Sequence, residues 1–348
     1  MRDRGGAYPP LVELTLARLR EFLREPEALF WVFVFPILMA CALGVAFRAR
    51  GDEPVVVGVV ERAGAADVAA TLQRTPGITV RTLREPEIAR ALQRAEVQVV
   101  VEPGTPPAYH LDPTRAESRL ARRTVDDLLQ RAAGRADVFT ARDAPIDAVG
   151  SRYIDWLLPG LLGMNIMSTG LWGLGFSIVH ARTRKLLKRL IASPMRRRDY
   201  LLAQLFGRLV FLGIEVGALL LFGHFAFGVP MRGSLALVLG VCLLGAVAFG
   251  GLGLLVASRA RTIEAVSGLL NLVMLPMWVL SGVFFAASNF PEAMQPAIQA
   301  LPLTALNDAL RAVMLEGAGL PEVGHELALL AAWGLVSFGV ALRIFRWR

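Results

Sequence analysis

Six apolar stretches of roughly membrane-crossing length divide this chain, at residues 28–47, 157–179, 209–229, 234–257, 265–287 and 326–345. A helix needs about 20 such residues to cross about 30 Å of hydrocarbon at about 1.5 Å per residue. In hydrocarbon every backbone N–H and C=O must be satisfied within the chain, so a segment of this kind is helical. The hydrophobic share is 55% of 348 residues, and mean hydropathy is +0.51. Soluble chains sit nearer 45–50% apolar. The pattern predicts an α-helical polytopic membrane protein with six transmembrane helices.

The gap between the first two blocks, residues 48–150, is not apolar. Residues 55–60 read as a buried strand, 63–74 as a helix and 78–83 as an alternating strand. A second helix follows at 85–94, then strands at 97–102 and 108–111, then a long amphipathic helix at 114–131. Strands alternating with helices predict a small α/β domain. About 100 residues suffice for one modest core. The two cysteines, Cys41 and Cys242, both fall in apolar blocks, so this domain has to fold without a disulfide.

Orientation follows from Lys and Arg in the short loops. One loop carries Arg182, Arg184, Lys185, Lys188, Arg189, Arg196, Arg197 and Arg198; another carries Arg259 and Arg261, and the tail Arg343, Arg346 and Arg348. The intervening loops are poor in basic residues: Arg232 in one, Arg311 against Glu292, Asp308, Glu316 and Glu322 in the other. Both termini are therefore expected in the cytoplasm, with the inserted domain on the outer side of the membrane. The net charge of +8 is then membrane topology rather than nucleic-acid binding. Before the first block, Val12, Leu16, Leu19 and Leu23 recur on one helical face, which predicts an interfacial helix within residues 1–27 that Pro26 ends. The charged leader argues against a cleaved signal peptide. Residues 288–320, broken by Pro291, Pro296 and Pro302, are too apolar for a solvated loop. They are expected as short helices dipping into the membrane from outside, within a five-helix domain spanning 151–348.

The motif search is mostly exclusion. No G-x-x-x-x-G-K-[ST] phosphate loop occurs, so the chain lacks that route to ATP. His110, His180, His224 and His325 are scattered, without Cys or carboxylate at ligand spacing. No G-x-S-x-G elbow is present, and nothing argues for catalytic residues or a bound cofactor. The glycines at 250, 251 and 253, and the pair Gly213 and Gly217, read as helix-packing positions. Glu215 stands near the middle of the third block, with Arg208 about two turns earlier on the same face and His224 further out. An intramembrane charge raises a functional hypothesis by default: Glu215 is either paired with Arg208 or part of a transport path. Asn165, Ser168 and Asn271 read as interhelical hydrogen-bond partners.

In the basic loop, segment 181–200 places Leu186, Leu187, Leu190 and Ile191 on one helical face, opposite Lys185, Lys188 and Arg189, and Pro194 stops the helix. By its residues this is either a lipid-binding interfacial helix or a piece that docks on a partner. A resemblance bears on the choice. Arg24-Glu25-Pro26 with the stretch around Pro36, YIDWLLPG at 153–160, LKRLIASPMRRRDYLL at 187–202, and LPMWVLSGVFF followed by LPLTALNDALRAVML within 275–315 resemble, in order, the ABC-2 family of ABC exporter permeases. The similarity is to the class with a large outer domain after the first helix. It implies a permease that exports an amphipathic, lipid or drug-like substrate, itself no enzyme, with ATP on a separate P-loop ATPase subunit. It implies that Leu186, Leu187, Leu190, Ile191 and Pro194 form the ATPase-coupling helix. It also implies a dimer with itself or a paralogue and an outer domain that guides release or meets a periplasmic adaptor. Where the family often has an acidic residue and Gly-Thr, this chain has Thr183, Lys185 and Leu186, which implies a more acidic docking groove on its ATPase. Two other readings stand beside this one: a proton-coupled secondary transporter using Glu215 and His224, and a membrane-tethered sensor or assembly scaffold.

Overall fold

The computed structural model describes residues 23–47, 54–136, 152–183, 197–260 and 262–344, with Arg20, Phe139 and Arg142. The expected interfacial helix before Pro26 lies almost wholly outside the described residues. The chain divides into two compact units, Met1–Arg48 with Asp147–Arg348, and Ala49–Ile146.

The smaller unit is a doubly wound α/β layer. Its strands are β1 (Val55–Val60), β2 (Ile78–Leu83), β3 (Val99–Glu102) and β4 (Ala108–Leu111), in spatial order β2-β1-β3-β4. β1 pairs parallel with β2 and β3, and β4 closes the sheet antiparallel. β1 is nearly all valine because a central parallel strand is buried on both faces. Val57, Val59, Val99 and Val101 meet Leu72 of α2 (Ala65–Gln73) and Ala121 and Val125 of α4 (Ala116–Ala132) on one side. Val60 and Val100 meet Ala91 of α3 (Ile88–Gln93) on the other. Each fully buried valine contributes on the order of 1.5 kcal/mol or more. Gly58 has no side chain because a Cβ there would lie 2.7 Å from Leu83 Cδ1 and 2.9 Å from Val100 Cγ2.

The larger unit is helical. Among the described residues, five helices are long and apolar enough to cross a membrane, in α5 (Tyr153–Thr183) over Tyr153–His180 and in α6 (Arg197–Phe227) over Gly207–Phe227, with α7 (Leu235–Arg259), α8 (Ile263–Leu280) and α11 (Gly324–Ile344). The first apolar block forms a shorter apolar helix, Phe30–Ala46. It belongs to one helical run, α1, made of Pro26–Leu29, a π turn at Phe30–Val34, and Phe35–Ala46. The π turn has a sequence cause. Pro36 has no N–H to give to the carbonyl four residues back, and its ring crowds that carbonyl. The carbonyl is Val32 O, and Asn165 of α5 fills the vacancy, Nδ2 donating at 2.9 Å. Asn165→Leu is expected to cost about 1–3 kcal/mol by orphaning that oxygen; a detergent melting curve reads it, and an unchanged midpoint would refute the role.

α7 lies between α5 and α11. Close approach is set by glycine: a Cβ on Gly253 would fall 2.8 Å from Leu171 O, which is backbone and cannot swing away. On another side of α7, a Cβ on Gly251 would meet Phe338 Cδ2 at 2.9 Å. Gly213 and Gly217 behave otherwise. Among the described residues nothing lies within 4 Å of a Cβ at either, so the pair packs against none of the described helices. α6 buries Leu212, Glu215, Val216 and Leu219, and the two glycines lie off that face with exposed Val210 and Ile214.

The fifth apolar block was expected to run to 287, but α8 stops at Leu280. Gly282 adopts φ +71° and turns the chain, and Asn307 Nδ2 holds the freed Ser281 carbonyl at 2.9 Å. The segment beyond forms α9 (Gln295–Gln299) and α10 (Pro302–Arg311), with a π turn at Ala312–Glu316. α10 is buried along most of its length against α5, α7 and α11. The stretch before α10 is more open: of residues 291–300 only Ile298 is buried.

Candidate functional site

The charges inside the bundle are organised around α6. Arg208 and Glu215 stand about two helical turns apart on one face, and Arg208 Nη1 lies 3.5 Å from Glu215 Oε2. The Glu215 side chain is 1% exposed. Neither of its oxygens accepts a hydrogen bond, so the Arg208 charge is what offsets its burial. Arg208 Nη2 also donates to Thr169 Oγ1 at 2.5 Å. The Thr169 hydroxyl donates to Asn165 O at 2.8 Å, and Asn165 reaches Val32 of α1. One polar chain thus joins α6, α5 and α1 through an otherwise apolar interior. His224 is not part of it. Nine residues beyond Glu215 on a helix of about 3.6 residues per turn puts it on the opposite face, where the ring is exposed and Nδ1 sits 3.5 Å from Val229 O. Ser168 bonds within its own helix, to Met164 O at 2.8 Å.

The coupling residues Leu186, Leu187, Leu190, Ile191 and Pro194 lie outside the described residues. What is described is the anchor just before them. Arg182, at the end of α5, donates from Nη1 to Ala260 O at 3.1 Å and to Ala257 O at 3.4 Å. It caps the orphan carbonyls at the C-terminal end of α7, a favourable place for a cation.

Two polar clusters escaped sequence reasoning. Asp155 is fully buried at the start of α5, and Arg152 grips it in a fork, Nε to Oδ2 at 2.9 Å and Nη2 to Oδ1 at 2.7 Å. Arg152 also donates to Phe227 O at 2.9 Å and Gly228 O at 3.1 Å, which capture the end of α6. Arg311, read from sequence as a loop charge, has a side chain only 12% exposed. Its guanidinium lies 4.0 Å from the centre of the Trp156 ring. Nε donates to Trp156 O at 3.3 Å, Nη2 donates to Gly282 O, and Nη1 pairs with Asp308 at 3.5 Å. A cavity of about 310 Å³ opens beside it, lined by Trp156, Ser288, Gln295, Gln299, Thr304 and Asp308 among others. A signal existed in the sequence: Arg152, Asp155 and Arg311 each border apolar runs, where a charge demands a partner.

In the smaller unit, Glu102 gathers charge at the carboxyl end of β3. His110 Nε2 lies 2.9 Å from Glu102 Oε2, and Arg62 bridges Glu102 and Glu85. The His110 hydrogen bond first, then the Arg62 charge, hold the Glu102 carboxyl below its usual range. A carboxyl depressed in the folded state stabilises above its unfolded value of about 4.3 and loses that contribution as pH falls through the folded value. Glu102→Gln should therefore destabilise most above about pH 5, and the gap to the parent should narrow between about pH 5 and 3; a gap that widens on acidification would contradict the network. Tyr109 is pushed up to about 12 by burial and by its hydrogen bond to Asp126, so its hydroxyl stays a donor at neutral pH. Among the described residues no group of three His, Cys, Asp or Glu could hold a metal ion.

Comparison with known proteins places this geometry. The inner membrane transport permease YhhJ of Escherichia coli is 28% identical over 174 residues, covering 49% of this chain and 46% of the relative. The linearmycin resistance permease protein LnrN of Bacillus subtilis is 25% identical over 174 residues, 50% of this chain and 45% of its own. ABC transporter G family member 20 of Dictyostelium discoideum is 29% identical over 196 residues, 55% of this chain and 27% of its own. The chain thus spans less than half the length of each of these three relatives. The match to the family itself is far longer: the model of the ABC-2 family transporter proteins aligns with residues 26–343, which take in the helical unit and the inserted sheet alike, and the chain belongs to that family.

Proposed function

We propose that this chain is the membrane subunit of an ATP-binding-cassette exporter that moves an amphipathic, lipid or drug-like substrate out of the cytoplasm. The family match over 26–343 carries the reading. In it, Phe30–Ala46 and the five longer helices make six spans. The basic loops support cytoplasmic termini, with residues 48–150 outside the inner membrane in this reading. Two copies, or one copy and a paralogue, form the pathway. A separate P-loop ATPase docks on segment 181–200 through Leu186, Leu187, Leu190 and Ile191, with Pro194 ending the helix. Arg182, clamped to the end of α7, passes the push of the ATPase into α5 and α7. The subunit hydrolyses nothing itself and needs no cofactor beyond the ATP bound by its partner. Names of relatives such as inner membrane transport permease and linearmycin resistance permease support a role in transport.

The test is co-purification of the chain with a candidate P-loop ATPase subunit. Leu190→Asp is expected to abolish stimulation of ATP hydrolysis by the membrane subunit while leaving its folding intact; stimulation indifferent to that change sinks the docking model. One observation favours a second reading, the proton-coupled carrier: Glu215 is buried and accepts no hydrogen bond. Uptake in proteoliposomes that persists without ATP and stops with Glu215→Gln would select it.

A further inference from the structure

We infer that the groove between β4 and α4 receives an extended acidic segment of a partner protein, which adds to the free edge of β4 as a fifth strand. β4 ends the sheet, and among the described residues no strand pairs with its outer side. In an antiparallel strand alternate residues turn N–H and C=O to opposite edges, so about two of its four residues present unpaired groups outward. Protected edges carry Lys, Pro or a covering element, but Ala108-Tyr109-His110-Leu111 has none of these within the strand.

Beside that edge lies a cavity of about 490 Å³, lined by Tyr109, Leu111, Arg119, Arg122 and Arg123. Tyr109 and Leu111 alternate along β4 and supply its apolar floor. The three arginines form the wall on α4, at positions that share one helical side. Charge balance decides the occupant. Asp112 is paired with Arg115, and Asp127 with Arg131 and Arg135. Asp126 accepts from Tyr109 Oη at 3.0 Å and from Gln130 at 3.1 Å. Among the described residues no carboxylate lies within ion-pair distance of Arg119, Arg122 or Arg123. Arg119 donates to Pro113 O at 3.2 Å, and Arg122 rests 5.4 Å from the Tyr109 ring centre. The wall is thus a surplus of positive charge facing a row of backbone donors and acceptors. A peptide with carboxylates on alternate residues meets both at once: its backbone extends the sheet, and one face of its side chains reaches the arginines. A lipid headgroup meets only the charge.

The experiment uses the full chain in nanodiscs of zwitterionic lipid. The probe is a fluorescent capped octapeptide of alternating Thr and Glu, followed by anisotropy at about 50 mM salt, where charge is weakly screened. The expected result is saturable binding that weakens at least about tenfold in the Arg122→Gln/Arg123→Gln variant, whose melting midpoint stays at the parent value. The same peptide with alternate amides N-methylated cannot complete the ladder, and it too should bind at least about tenfold more weakly. Equal binding of methylated and unmethylated peptide, or displacement by anionic vesicles as effective as by unlabelled peptide, overturns the strand and leaves a headgroup site. Parent-like affinity in the variant, or no saturable binding because another segment of the chain fills the groove, overturns the proposal outright.

Discussion

Arg208→Met is expected to destabilise the helical unit by about 3–5 kcal/mol, the cost of leaving one member of a buried ion pair uncompensated. The size follows from Glu215. Its carboxylate is 1% exposed and makes no hydrogen bond within geometric limits, so removing the guanidinium at 3.5 Å leaves a buried group without its counter-ion. The double variant Arg208→Met/Glu215→Leu removes both charges at similar volume and should regain most of the loss, because apolar replacements of a buried pair are commonly neutral or better. The loss in Arg208→Met also includes the Thr169 hydrogen bond, about 1–2 kcal/mol, which the double variant does not restore. Unfolding of the detergent-solubilised chain, read for both single variants and the double, closes the cycle. A double variant as unstable as the sum of the singles would mean that the two charges do not stabilise each other. A double variant that is stable but transport-dead would move Glu215 from scaffold to pathway.

Arg311→Leu should cost about 3 kcal/mol, chiefly by stranding the Trp156 and Gly282 carbonyls that the guanidinium now caps. The cation also lies over the Trp156 ring at 4.0 Å, a contact worth about 0.5–2 kcal/mol. One side chain therefore ties the entry of α5, the turn after α8 and the end of α10. Arg311→Lys keeps the charge but not the fork and should recover less than about half of the loss, because a single ammonium cannot serve separated carbonyls in fixed directions. The readout is the melting midpoint together with protease access to the turn around Gly282. If Lys restores full stability, the charge alone matters and the clamp described here is wrong. Asn165→Leu and Glu102→Gln probe the same principle at smaller amplitude.

Much of this architecture was legible because periodicity reports burial directly. The alternation at 78–83 and the valine run at 55–60 locate strands, since a pleated strand turns successive side chains to opposite faces. Apolar blocks of about 20 residues locate helices, since hydrocarbon leaves no other way to satisfy the backbone. Pro26 marks a helix boundary through its missing N–H. Asn165 was marked as an interhelical partner, and the glycines of α7 as contact points. The pairing of Arg208 with Glu215 was legible for a local reason: residues about two turns apart on one helix share a face whatever surrounds them.

Contacts between distant segments were not legible. No period links Arg152 to the end of α6, Arg311 to Trp156, or Asn165 to Val32 in particular. The helical pattern marked Gly213 and Gly217 as a packing pair, yet among the described residues nothing lies within 4 Å of a Cβ at either. A small-residue motif states that a helix can approach closely, not which helix does. The sequence by itself determined the kinds of element, the inserted α/β unit and the residues that need partners, because these follow from local backbone chemistry and from the cost of burying charge. Only the tertiary structure decided which partners those residues take, which strand ends the sheet beside the arginines of α4, and where α8 ends, because each depends on atoms brought together from far apart along the chain.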